Sequence, residues 1–243
     1  VANNSANNGA TRSNEIIDSF NDYTGIAAVQ QNNGDANAIG AATAVAVTLG
    51  VSQLVDQSVS TEGTVEDSKT WARGQGERSN LIDPSFMGAE GMFSVQQNNG
   101  NANALNLATA VSYNDGGSEG VEQTVTTTGT VDTTDAIDQG DARTNTLSDE
   151  SFQDMQGVAT VQQNNGDGNV IGAALGLAVN DGHGALTPSD QAVAATGTVT
   201  GAYADGTDGT RENTTDSGAF DNATGVLTVQ QNNGNNNVIG SAM

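Results

Sequence analysis

The chain has 243 residues, enough for a large core or an array of stacked units, yet only 4% are aromatic, so an ordinary globular core is not expected. Its net charge is −23, with one Lys and five Arg against 29 carboxylates, which argues against nucleic-acid partners and docking on anionic membranes. The absence of Cys excludes disulfides and thiolate metal sites, and no apolar run reaches the roughly 18 residues of a membrane span.

The chain opens on Val1 rather than Met, as a mature secreted product with its leader removed would, although an incomplete chain would open the same way. The string Val-Gln-Gln-Asn-Asn-Gly then recurs from Val29, Val95, Val161 and Val229, at spacings of 66, 66 and 68 residues. A fixed long period predicts stacked units. The expected fold is therefore all-β, a β-solenoid or stacked β-sheet array. Its copies run over residues 1–66, 67–132 and 133–200, with a truncated fourth over 201–243.

Within a copy, the first element is a short apolar run that starts at Gly25, Gly91, Gly157 or Gly225 and ends in the shared string. Asn-Asn-Gly tolerates positive φ and predicts a turn. A second strand follows from Asn37, Asn103, Asn169 and Asn237. In copy one it places Ile39, Ala41, Thr43, Val45 and Val47 on one face and Ala38, Gly40, Ala42, Ala44 and Ala46 on the other. Neither face is polar, so burial on both sides is expected, with the small face admitting a neighbouring sheet closely. A buried helix competes for this Ala-rich run, but Gly40, Gly172 and Gly176 weigh against it.

The third element is Gln57-x-Val59-x-x-x-Gly63-Thr64-Val65, matched from Gln123 and from Gln191, and reads as a bent strand or strand pair. The two extra residues of copy three fall in the loop 183–190, because Gly116 and Gly182 keep the 66 spacing whereas Gln123 and Gln191 do not. Between copies lie divergent polar stretches, 66–89, 132–154 and 200–222, where changes of charge are expected to be tolerated. They share a Phe (Phe20, Phe86, Phe152, Phe220) expected to plug the end of each unit's core.

Stacking would set like on like. The candidate site is thus the repeated amide and turn motif: Gln30, Gln31, Asn33, Gly34 and Asn37; Gln96, Gln97, Asn99, Gly100 and Asn103; Gln162, Gln163, Asn165, Gly166 and Asn169; Gln230, Gln231, Asn233, Gly234 and Asn237. Side-chain amides both donate and accept, so they can form ladders along a stack. The alternative role for these residues is turn-building alone, which accounts for Asn33-Gly34 but not for two recurring Gln.

The pattern Gln31-x-x-Gly34-x-x-Asn37-x-Ile39 resembles the repeats of curlin-type bacterial fibre subunits, with one extra residue before the Gly. The Gln-Gln-Asn-Asn string is also similar to repeats of the Fap class of bacterial functional amyloid. The resemblance implies a secreted subunit that assembles with itself, as a homopolymer, into an extracellular biofilm-matrix or surface fibre. The alternative is an adhesin-like binding module whose acidic loops engage matrix polysaccharide or divalent cations.

Catalysis is not expected. His183, the only histidine, sits with Ser189 and Asp181 or Asp190 in the Gly-rich inserted loop, without a rigid scaffold for a triad. Too few basic residues are present for a polysaccharide lyase that must neutralise a uronate. No cofactor is expected, with calcium as the one candidate ligand: Asp35 and Asp167 follow the turn Gly, and Asp115 and Asp181 form a second set of oxygen donors. Finally, Met243 aligns with Thr43 and Val1 with Asp67, which leaves both terminal units unfinished and predicts head-to-tail contact, with residues 1–14 as the strand that completes a neighbour.

Overall fold

The computed structural model describes residues 4–7, 11–49, 55–66, 69–73, 76–115, 121–132, 135–139, 142–180, 190–200, 203–206 and 210–243. The described strands fall into four successive rungs. Rung one holds β1 (Asn4–Asn7), β2 (Arg12–Ile17), β3 (Thr24–Asn32), β4 (Ala38–Leu49) and β5 (Val55–Glu66). Rung two holds β6 (Lys69–Arg73), β7 (Glu77–Asp83), β8 (Glu90–Asn98), β9 (Ala104–Asp115) and β10 (Val121–Asp132). Rung three holds β11 (Asp135–Gln139), β12 (Ala142–Leu147), β13 (Gln156–Asn164), β14 (Val170–Asn180) and β15 (Asp190–Thr200). Rung four holds β16 (Tyr203–Gly206), β17 (Arg211–Thr215), β18 (Thr224–Asn232) and β19 (Val238–Ala242).

No described strand pairs with its neighbour in sequence. Each pairs in parallel with its equivalent one rung away, which gives five sheets: β1-β6-β11-β16, β2-β7-β12-β17, β3-β8-β13-β18, β4-β9-β14-β19 and β5-β10-β15. The fold is all-β and built of stacked repeats. Register follows the repeat, so Gln30 pairs with Gln96, Gln96 with Gln162 and Gln162 with Gln230. Each residue thus lies one strand spacing, about 4.8 Å, from its counterpart.

Three apolar layers separate four of the sheets. Ala27, Phe93, Val95, Ala159 and Val161 of the β3 sheet meet Ile82 and Leu147 of the β2 sheet, with Phe86 and Phe152 closing the end of the layer. Met92 and Val158 meet Leu175 of the β4 sheet. Ala108, Ala110 and Ala174 meet Val59 and Val125 of the β5 sheet. In this third layer the small face does what its composition predicts: with little beyond Cβ to separate them, Cα atoms of the two sheets come within 8 Å. The Ala-rich run is strand, buried on both faces from Ala104 to Ala110. The Phe column is a continuous stack, with ring centroids 4.8, 4.9 and 5.2 Å apart from Phe20 through Phe86 and Phe152 to Phe220.

Three expectations need correction. The turn between β3 and β4 is a corner between two sheets, and its positive φ falls on Ala36, Ala102, Gly168 and Asn236 rather than on Asn-Gly. Gly34 is required for a different reason: a Cβ there would collide with the carbonyl oxygen of Gly100, as one on Gly100 would with Gly166 and one on Gly166 with Gly234. Gly91, Gly157 and Gly225 combine this close approach, to the carbonyl of the rung before, with φ between 119° and 135°, and Gly25 shares the positive φ at 142°.

The polar stretches between copies are not mere connections. They carry β6 and β7, β11 and β12, or β16 and β17, and bury Arg78, Asn80, Arg143 and Asn145 completely. Copy three also differs from copy two by more than its two-residue insertion. The offset is 66 residues at Gln139 and Arg73, 65 at Ala142 and Glu77, and 66 again at Phe152 and Phe86, so one residue is lost and regained around β12. The described parts of the segment expected to complete a neighbour lie in rung one, where β1 pairs with β6 and β2 with β7 and both stand at the edge of their sheets.

Candidate functional site: amide and guanidinium columns at the turn

Strand alternation sends the repeated amides in two directions. Gln30 and Asn32 face the β4 side, and Gln31 and Asn33 face the β2 side. Every one of them is repeated at the strand spacing, so each becomes a column.

The Gln30 column donates towards rung four. Gln30 Nε2 reaches Gln96 Oε1 at 3.0 Å, Gln96 reaches Gln162 at 2.9 Å and Gln162 reaches Gln230 at 2.9 Å. The second hydrogens of Gln96, Gln162 and Gln230 go to the carbonyls of Gly40, Asn106 and Gly172, which ties the β3 sheet to the β4 sheet. The Gln31 column donates the opposite way, from Gln231 to Gln163 to Gln97 to Gln31, at 2.7, 2.8 and 2.8 Å. The Asn32 column also runs towards rung one, through Asn232, Asn164 and Asn98. These Asn oxygens accept from Asn37, Asn103, Asn169 and Asn237, so the same side chains build the turn and the ladder. Asn37, Asn103 and Asn169 in turn accept from the backbone N–H of the Asn one rung on, at 2.7–2.8 Å.

Asn33 joins a second column that identity between copies does not reveal. Asn14, Asn80, Asn145 and Asn213 alternate with Asn33, Asn99 and Asn165 in a zipper between the β2 and β3 sheets, with donor–acceptor distances of 2.9–3.1 Å. Asn99 donates on to Asn165 at 3.2 Å, and Asn165 to Asn233 at 3.4 Å, towards rung four. Beside the zipper stands a column of Arg12, Arg78, Arg143 and Arg211. Each donates Nη1 to the carbonyl of Asn33, Asn99, Asn165 or Asn233, and to the side-chain oxygen of Asp35, Asn101, Asp167 or Asn235. The signal for both columns is Arg-x-Asn, at Arg12, Arg78, Arg143 and Arg211. Its 65-residue step from Arg78 to Arg143 breaks the period and hides it.

The calcium candidates take their places here. Asp35 pairs with Arg12 at 2.9 Å. Asp167 is fully buried between Arg143 at 2.8 Å and Arg211 at 3.2 Å, and also accepts from the N–H of Asn101. Among the described residues no three His, Asp or Glu side chains converge as a metal site. Asp115 closes β9, while Asp181, His183 and Ser189 lie outside the described residues. A further amide pair links Gln123 to Gln57 at 2.9 Å, with Ser112 hydrogen-bonded to both.

What this arrangement can do is stack. Buried amides cost about 1–3 kcal/mol each when unsatisfied, and in the Gln30, Gln31 and Asn32 columns each is satisfied by its own copy one rung away. The geometry defines a class: parallel, in-register β stacks held by amide ladders, the arrangement also found in cross-β assemblies. The family model of the functional amyloid protein FapB/FapC family matches residues 1–180, and the chain belongs to that family, a structural rather than an enzymatic one. No curated protein and no solved structure matches the chain.

Proposed function

We propose that the chain is the structural subunit of an extracellular, self-assembling filament of a biofilm matrix or cell surface. Copies add by laying the rungs of one on the rungs of another, so the partner is the chain itself. The observation that carries this reading is the in-register amide ladder. Gln30 to Gln230 and Gln231 to Gln31 repeat one hydrogen-bonding step without change, and the same step serves equally between copies. The exposed apolar residues of the terminal rungs, Ile26 in rung one and Leu227 and Val229 in rung four, support it, because a further rung would cover them.

Electron microscopy and sedimentation of the purified chain test the proposal. Unbranched filaments with an axial repeat of about 4.8 Å in fibre diffraction are expected. A monodisperse monomer at high concentration, over days, would sink it.

A further inference from the structure

The Arg column is accompanied at each rung by a residue of alternating charge: Asp35, Asn101, Asp167, Asn235. Two features of this accompaniment repeat. The own-rung guanidinium donates Nη1 to the Oδ1 atom, at 2.9 Å for Asp35, 2.7 Å for Asn101 and 2.8 Å for Asp167. The backbone N–H of each residue donates to Oδ1 of the next, from Asp35 to Asn101 at 2.9 Å, Asn101 to Asp167 at 2.6 Å and Asp167 to Asn235 at 2.8 Å. The second terminal atom is where Asp and Asn part. Asp167 Oδ2 accepts from Arg211 Nη2 of the rung above, at 3.2 Å. Asn101 has Nδ2 in that place, buried and without an acceptor.

The carboxylate of Asp167 therefore serves two rungs and the amide of Asn101 one. Arg78 likewise stands one rung above Asp35, although the Nη2 bond that Arg211 makes to Asp167 has no counterpart there. One carboxylate on every second rung is the smallest number that sets a carboxylate beside every guanidinium, and burying a guanidinium without one is strongly unfavourable. The alternation has a phase, and rung four ends it on Asn235. The next residue in phase is an Asp, which is what rung one offers at Asp35.

We propose that this column sets the junction between copies: rung four of one copy, carrying Arg211 and Asn235, accepts rung one of a second copy, carrying Arg12 and Asp35, because only that contact continues the charge alternation. Asp35 then neutralises Arg12 as docking buries it. This inference rests on the self-assembly proposed above and names the residues that decide whether an incoming copy is accepted.

The test permutes the column without changing its composition. In D35N/N101D, Arg78 gains a carboxylate in its own rung, while Arg12 meets only amides, one at position 35 of its own rung and Asn235 across the junction. In D35N/N101D/D167N/N235D the alternation is restored in the opposite phase, and Arg12 is served by the carboxylate now at position 235 of the preceding copy. Seeded elongation is followed by filament length in electron micrographs, with each protein added to seeds of itself and with circular dichroism as the folding control. The four-site variant should elongate at the wild-type rate, and D35N/N101D about tenfold more slowly or worse. Equal rates for all three would overturn the phase rule while leaving self-assembly intact. A four-site variant that folds but does not elongate would overturn it too, and this arm stands even if D35N/N101D fails to fold. A wild-type chain that forms no filaments would overturn self-assembly itself.

Discussion

Replacing Gln97 by Leu tests whether the amide columns act as coupled ladders. Gln97 is fully buried, donates to Gln31 Oε1 at 2.8 Å and accepts from Gln163 Nε2 at 2.8 Å. Leucine is close in volume and fits without a large cavity, so the loss is polar. Two groups are left behind, Gln31 Oε1 and Gln163 Nε2, and each orphaned buried group costs about 1–3 kcal/mol. Gln163 keeps a long bond to the carbonyl of Thr214 at 3.5 Å, which places the total in the lower half, at about 2–4 kcal/mol. Replacing the whole column, Q31L/Q97L/Q163L/Q231L, removes donors and acceptors together and leaves no amide orphaned. Its total cost should not exceed that of Q97L alone, although four times as many residues change. Urea unfolding of the unassembled protein, followed by far-ultraviolet circular dichroism, measures both. A single substitution costing less than about 0.5 kcal/mol, or a fourfold variant costing about four times the single one, would refute the coupled-ladder account.

Other expected outcomes concern the turn and the charged column. Ala102→Gly relieves a buried residue held at φ 54°, in a column where Gly168 and Asn236 occupy the equivalent places, and should stabilise by about 0.5–1 kcal/mol, read as a rise in Tm. Asp167→Asn strips a fully buried carboxylate from two guanidiniums and should cost about 3–5 kcal/mol in urea unfolding, whereas Asp35→Asn, which loses a partly exposed pair with Arg12 and the carboxylate one rung below buried Arg78, should cost less, about 1–3 kcal/mol in the unassembled chain. Within β7, Glu77→Lys should shift stability by no more than about 0.5 kcal/mol, while Arg78→Leu should cost several times that; equal effects in thermal melts would contradict the inward placement of Arg78.

How much is legible in the sequence follows from which atoms the stack constrains. The shared string is visible because nearly every one of its residues is held: Gln30 and Gln31 by column bonds on opposite faces, Asn32 by turn and ladder together, and Gly34 by the backbone of the next rung. The strand after Asn103 is legible for a similar reason, since both of its faces are covered from Ala104 to Ala110. Strands β7 and β12 are not. Only their alternate residues Arg78, Asn80 and Ile82, or Arg143, Asn145 and Leu147, face inward, and the outward ones are free to diverge. The one-residue slip around β12 then removes the fixed spacing that exposes a repeat. Sequence reasoning finds the turn glycine but assigns it the wrong physical cause, because contact between rungs cannot be read from local φ preferences.

The opposed directions of the amide columns have a consequence for growth. A primary amide is a dipole, and a column of them pointing one way would add its moment at every rung, so that charge separation between the two ends would rise with length. Here the Gln30, Asn33 and Asn14 columns point towards rung four. The Gln31 and Asn32 columns, and the Gln123–Gln57 pair between rungs one and two, point towards rung one. Opposed moments therefore largely cancel within a rung. A stack of these rungs is close to electrically unpolarised along its amide columns, whatever its length, and the hundredth rung meets much the same field as the second.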